Sequence, residues 1–194
     1  MGWLRHARFL LRITHSHLVL RRYFVVNGFD GALTMMGLIL GFLVSTPADL
    51  AVVINVCLGA AIALGMSGVS SAYVSESAER RRALGKLEKA MISDLRDSTH
   101  GDAARLTPLL VALVNGLAPL IISLLILMPL WLGALGIPLP VSPLYGAMLV
   151  ALMLIFLLGV FLGRIAEISW LRSGLQTLLV AMTTAVLIYL FVGA

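Results

Sequence analysis

The sequence predicts an all-α integral membrane protein: five transmembrane helices, an N-terminal interfacial amphipathic helix and a cytoplasmic extension of the second span. Three observations predict it. Hydrophobic residues make up 60% of the 194 and charged residues only 12%, and a soluble domain has no use for so much apolar surface. The apolar residues gather into five runs, roughly 31–48, 50–75, 107–132, 143–163 and 173–193. Runs of about 20 apolar residues cross a ~30 Å hydrocarbon core as helices, and the ten-residue alternation of a membrane barrel is missing. All 14 Lys and Arg residues lie within 5–22, 80–105 and 164–172, with none near 48–50 or 133–142. By the positive-inside rule the N-terminus is cytoplasmic and the C-terminus outside. The net charge of +5 is therefore read as topology, and no nucleic-acid partner is expected.

Residues 1–26 read as the interfacial helix. Arg5, Arg8, Arg12 and His15 recur at helical spacing, with Leu4, Leu11 and Leu18 on another side, a pattern suited to an anionic lipid surface. Arginines interrupt every apolar run there, so a cleaved signal is not expected. Residues 27–194 read as the five-span membrane domain.

The first span opens on Asn27-Gly28-Phe29-Asp30-Gly31. A carboxylate inside a spanning helix costs roughly 2.5–3.5 kcal/mol at the bilayer centre, and such residues pair, bind an ion or move protons. Stepping from Asp30 at helical intervals reaches Thr34, Gly37 and Gly41. That face carries an acid, a hydroxyl and a GxxxG pair that admits a second backbone. Two readings stand at Asp30: an N-cap satisfying orphan amides, or an intramembrane carboxylate on an ion path.

Pro47 is expected to stop the first span, and Asp49 to cap the second. The second span is dense in Gly, Ala and Ser from Gly59 to Ser75, the composition of helix contacts in lipid. Met66 lies there, either a soft thioether ligand or a gap-filler. Cys57 is the single cysteine, which excludes an internal disulfide and a thiolate metal cage. Helicity should continue past the membrane, because Leu84, Leu87, Met91 and Leu95 keep a helical stripe. Residues 76–105 are then a short cytoplasmic helical segment. Glu76 precedes Arg80 by one turn, a favourable pair; Glu76 and Glu79 share a face, as a cation-collecting pair or as solvated charge.

The third span carries Pro108, Pro119 and Pro129. Pro119 should kink its middle, and Asn115-Gly116 one turn earlier should line a cavity or meet protein. The fourth span is plain except for a second GxxxG, Gly159 and Gly163. The fifth carries Gln176, Thr183, Thr184 and Tyr189, polar groups able to bond within the bundle.

Asp30-Gly31-x-x-Thr34 followed by Gly37 and Gly41, Ser67 with Tyr73-Val74-Ser75, the run Glu76 to Glu88, and the ending Arg172-Ser173-Gly174-Leu175 through Tyr189 and Gly193 occur in that order. This order resembles the vacuolar iron transporter family, membrane carriers of ferrous iron and manganese, over most of the chain from residue 25. The resemblance implies a homodimer whose ion path lies between the subunits, lined by the first spans, with Asp30 as the transport carboxylate. Thr34, Gly37, Gly41, Ser67 and Tyr73 would line that path. The metal-binding residues it implies are Asp30, Met66, Glu76 and Glu79. Aligning on Tyr73 puts Gly68 where the family's methionine belongs, so Met66, Met35 or Met36 would have to replace it. The cytoplasmic segment is short beside the plant type's, which suits a prokaryotic cell-membrane member.

The expected function is export of Fe2+ or Mn2+ from the cytoplasm, with proton antiport as a possible coupling. The alternative is a non-transporting membrane scaffold or assembly protein of the same fold. No cofactor is expected beyond the transported ion. An enzyme is not expected: no Ser/His/Asp set, glycine-rich phosphate loop or HExxH is present. Asp30-Gly31 bears a faint likeness to the metal-binding aspartate motif of phosphatidyltransferases, but that motif needs an Arg nearby and further aspartates in the next helix, and 31–75 offers only Asp49.

Overall fold

The computed structural model describes residues 16–45, 49–95 and 97–192. Among these residues it is all helical: α1 (Ser16–Val44), α2 (Leu50–Met91), α3 (Thr99–Ala134), α4 (Pro143–Ile165) and α5 (Trp170–Val192). All five are long and apolar enough to cross a membrane. The chain is an integral membrane protein. Residues 1–15, which carry most of the expected amphipathic helix, lie outside the described residues, as do Pro47 and Gly193.

The ends of the helices follow local chemistry. Asp49 caps α2: its carboxylate accepts from the Ala51 N–H at 3.3 Å, and its carbonyl accepts from Val52 and Val53. Ser98 caps α3, its hydroxyl oxygen accepting from the His100 and Gly101 N–H groups. Pro143 opens α4 after Ser142, where its missing N–H costs nothing. Among the described residues, three helices close through a residue at positive φ: Ile92 after α2, Gly136 after α3 and Glu167 after α4. In each case the next N–H returns to a carbonyl five residues back, as in Ile168 to Gly163 at 3.0 Å. At Ile92, a β-branched residue, this conformation is strained.

α1 corrects the expected first span. It begins at Ser16 and is helical on both sides of Asp30, so the boundary drawn after residue 26 falls inside a helix. Arg21 and Arg22 interrupt the apolar run yet not the helix, because both lie on its exposed side while Val25 is buried. α2 is one helix of 42 residues, about 63 Å long at ~1.5 Å per residue. That is twice the hydrocarbon thickness. α3 is continuous through Pro119.

The chain divides into two compact units. One comprises 16–24 and Gly65–Leu117. Its small core is Ala72, Val111 and Ala112, against which Leu20, Tyr23 and Val69 pack. The other comprises Val25–Leu64 and 118–192. Its core is larger: Met35, Met36 and Ile39 from α1, Val53, Cys57 and Ala61 from α2, Ile126, Leu127 and Leu130 from α3, Ile155 from α4 and Ala181 from α5. In lipid no hydrophobic force drives helices together, so close van der Waals fit and small residues must do so. The glycines show this. A Cβ on Gly31 would lie 2.8 Å from the backbone of Pro119, and one on Gly163 would lie 2.7 Å from Ser173 Cβ. At Gly159 a Cβ would collide with Thr177.

Candidate functional site

Asp30 lies midway along α1 and is exposed. A helix-interior residue has no orphan amides to satisfy, so the N-cap reading does not hold. The carboxylate has no hydrogen-bond or ion-pair partner among the described residues. It borders a cavity of about 270 Å³ bounded by α1, α4 and α5. Val26, Phe29, Leu158, Leu162 and Val180 make the wall largely apolar; Ser173, Gln176 and Thr177 supply its other polar groups. The Thr177 hydroxyl is already engaged, donating to the carbonyl of Gly174 at 2.9 Å and lying 3.2 Å from that of Ile155. Gln176 is exposed and Ser173 buried.

The local sequence explains this placement. Gly31 must face inward, since nothing larger than hydrogen fits against Pro119. A helix turns about 100° per residue, so a glycine held inward at 31 directs the side chain of residue 30 elsewhere. Gly28, also buried, packs near Ile122 and Leu158. Thus the Asp-Gly pair works as one device: the glycine fixes the rotation of α1, and the acid follows.

The rest of the Asp30 face is partly covered. Thr34 is half-buried, and a Cβ on Gly37 would lie 3.3 Å from Ile188 of α5. Gly41 meets nothing within 4 Å. The fifth helix therefore borders part of a face that the family resemblance assigned to paired first spans. Gln176, Ser173 and Thr177 are neighbours of Asp30 that spacing does not reveal. A signal was present: Gly159 and Gly163 on α4 match Ser173, Gly174 and Thr177 on α5, two small-residue stripes that fit together.

The remaining candidates lie in the other unit. Met66 is 61% exposed and Tyr73 48%; Ser67 is exposed too. Glu76 is buried and accepts from Arg80 Nε at 2.8 Å, whereas Glu79 is exposed. The expected Glu76–Arg80 pair is present. Glu76 is spent on that cation, while Glu79 is left to solvent.

Gly68, the position aligned with the family's methionine, has no room for a side chain. A Cβ there would lie 2.9 Å from the Asn115 carbonyl oxygen. Asn115 is buried, and its side-chain amide donates to the Gly68 carbonyl at 2.7 Å. Residue 68 is a helix contact, and Met66 lies about 200° around the helix from it. Met35 and Met36 are fully buried in the core, where they fill space. Among the described residues no three His, Cys, Asp or Glu side chains gather as a metal cluster. Ser123, buried in α3 one turn beyond Pro119, has a hydroxyl without a partner among the described residues.

No protein-family model matches the chain, and no solved structure matches it. It is 29% identical over 172 residues to an uncharacterized protein from Methanocaldococcus jannaschii, an alignment covering 87% of this chain and 86% of that relative.

Proposed function

We propose that the chain carries divalent cations of the Fe2+/Mn2+ type across the membrane, exporting them from the cytoplasm as a homodimer of the vacuolar iron transporter kind. One observation carries this reading: a carboxylate without a partner among the described residues sits mid-helix in an apolar span, on the wall of a cavity. A charge kept at that depth is costly; binding a passing cation gives a reason for it. Carboxylate and amide oxygens suit Mn2+ and Fe2+ better than softer ions. Asp30 holds the ion, Gln176 offers a second oxygen, and proton antiport is the coupling we assign. The basic N-terminal segment lies on the inner leaflet, the far part of α2 extends into the cytoplasm, and the C-terminus is outside, as the charge bias requires. Glu79 collects cations at the inner mouth; Met66 is a peripheral thioether.

The test is metal uptake by proteoliposomes containing a Mn2+- or Fe2+-quenched dye. Asp30→Ala and Asp30→Asn lose at least about tenfold of the flux, equivalent to ~1.4 kcal/mol, with the protein still monodisperse. Equal flux by wild type and Asp30→Ala removes Asp30 from the mechanism. A second reading, a scaffold that transports nothing, is favoured by the absence of a metal cluster among the described residues. It predicts a melting temperature indifferent to Mn2+, whereas a bound cation raises it.

A further inference from the structure

The unit that comprises 16–24 and Gly65–Leu117 contains a second cavity, a groove of about 440 Å³ lined by Tyr73, Ser77, Arg81, Leu84 and Glu88 of α2 and by Gly101, Ala104 and Arg105 of α3. Its charges are the reverse of a metal-collecting mouth. Arg81 and Arg105 both line it, and neither has an ion-pair or hydrogen-bond partner among the described residues. Arg80, next in sequence, is held by Glu76. The one acid on the wall, Glu88, already accepts the Leu95 N–H at 3.2 Å. The hydroxyls of Tyr73 and Ser77 are without partners among the described residues too.

The groove also has a definite depth. Tyr73 lies three residues before Glu76, where the apolar stretch of α2 gives out, and Arg105 is the last charge before the apolar stretch of α3. Tyrosine favours the level where hydrocarbon meets headgroups. Arg81 lies two turns further along α2, about 12 Å, and helix side chains lean toward the N-terminus, here back toward Tyr73. Two unpaired guanidiniums and two hydroxyls thus meet at the headgroup layer, where basic pockets between helices bind anionic lipid. Guanidinium matches phosphate geometry through paired N–H donors.

We propose that this groove seats the phosphate headgroup of an anionic membrane lipid, with Arg81 and Arg105 on the phosphate and Tyr73 and Ser77 donating to its ester and glycerol oxygens. The site is independent of cation transport: it stands on the arginines and the groove alone.

Full-length protein in neutral detergent, titrated with phosphatidylglycerol or phosphatidylcholine and read by native mass spectrometry, tests it. Wild type retains phosphatidylglycerol in preference to phosphatidylcholine. Arg81→Gln with Arg105→Gln weakens that binding about 30-fold, from the usual worth of two basic residues at a lipid surface. Arg82→Gln with Lys86→Gln, an equal loss of charge at exposed positions off the groove, changes it little. Tyr73→Phe, which removes one hydroxyl and leaves both charges, gives a smaller loss in the same direction. Equal weakening by both double variants, or no preference between the lipids, overturns the site. Inorganic phosphate at the lipid's concentration leaves the lipid bound; displacement by it overturns the lipid as the occupant.

Discussion

Asn115 illustrates what a single side chain does in this protein. Its amide donates to the Gly68 carbonyl at 2.7 Å, and the two backbones touch where Gly68 and Gly116 leave room. Interhelical hydrogen bonds in membranes are worth about 0.6 kcal/mol on average and ~1.7 at most, so Asn115→Ala should lower stability by roughly that much. Gly68→Ala should cost more, because its Cβ meets backbone that cannot step aside. Thermal melting in detergent should rank wild type above Asn115→Ala and that above Gly68→Ala; the reverse order of the two variants would refute the packing account. Asn115 was recognisable in the sequence as a polar residue at depth needing a partner. Which carbonyl it meets was not, because helical spacing names faces and not the neighbours opposite them. The same gap hid the meaning of Gly68: as a letter it looked like a missing methionine, and in the fold it is a place for no side chain.

At the scale of elements, glycines divide into those that hold helices together and those that do not. Gly159 lies against Thr177 and Gly163 against Ser173, whereas Gly85 meets nothing within 4 Å. Gly159→Val should therefore part α4 from α5 and lower the melting temperature. Gly85→Ala should raise stability by up to ~0.8–1.0 kcal/mol, the ordinary helix gain of alanine over glycine. If Gly85→Ala melts below wild type, the residue has a contact the monomer does not show. The five spans were legible because each is an apolar run bounded by charge or proline. The start of α1 was not, since Arg21 and Arg22 look like a break; a helix with one exposed side carries them without interruption. The second GxxxG was legible as a motif, though its partner on α5 was not.

The whole molecule raises the question of its partner. Much of the apolar surface is exposed on α5, where Leu179, Met182, Leu190 and Phe191 are each more than half exposed. In a bilayer such side chains contact lipid or a second subunit. Gly41 is the open end of the Asp30 face, so the proposed homodimer should run in detergent at twice the protomer's 20.8 kDa. Gly41→Leu, which has space within the protomer, should shift the mass toward monomer without lowering the protomer's melting temperature. A wild type that is monomeric at every concentration argues against the dimer. The charge bias behind the proposed orientation could be read by counting Lys and Arg. The cavity beside Asp30 could not, because its far wall comes from residues more than 120 positions away.

Cys57 has a practical corollary. It is the only thiol in the chain and is wholly buried. A maleimide offered to the folded protein finds no native sulfur to alkylate. A cysteine introduced at any solvent-facing position would answer alone, and membrane-impermeant reagents could then map each loop to its side of the bilayer without first deleting the natural one.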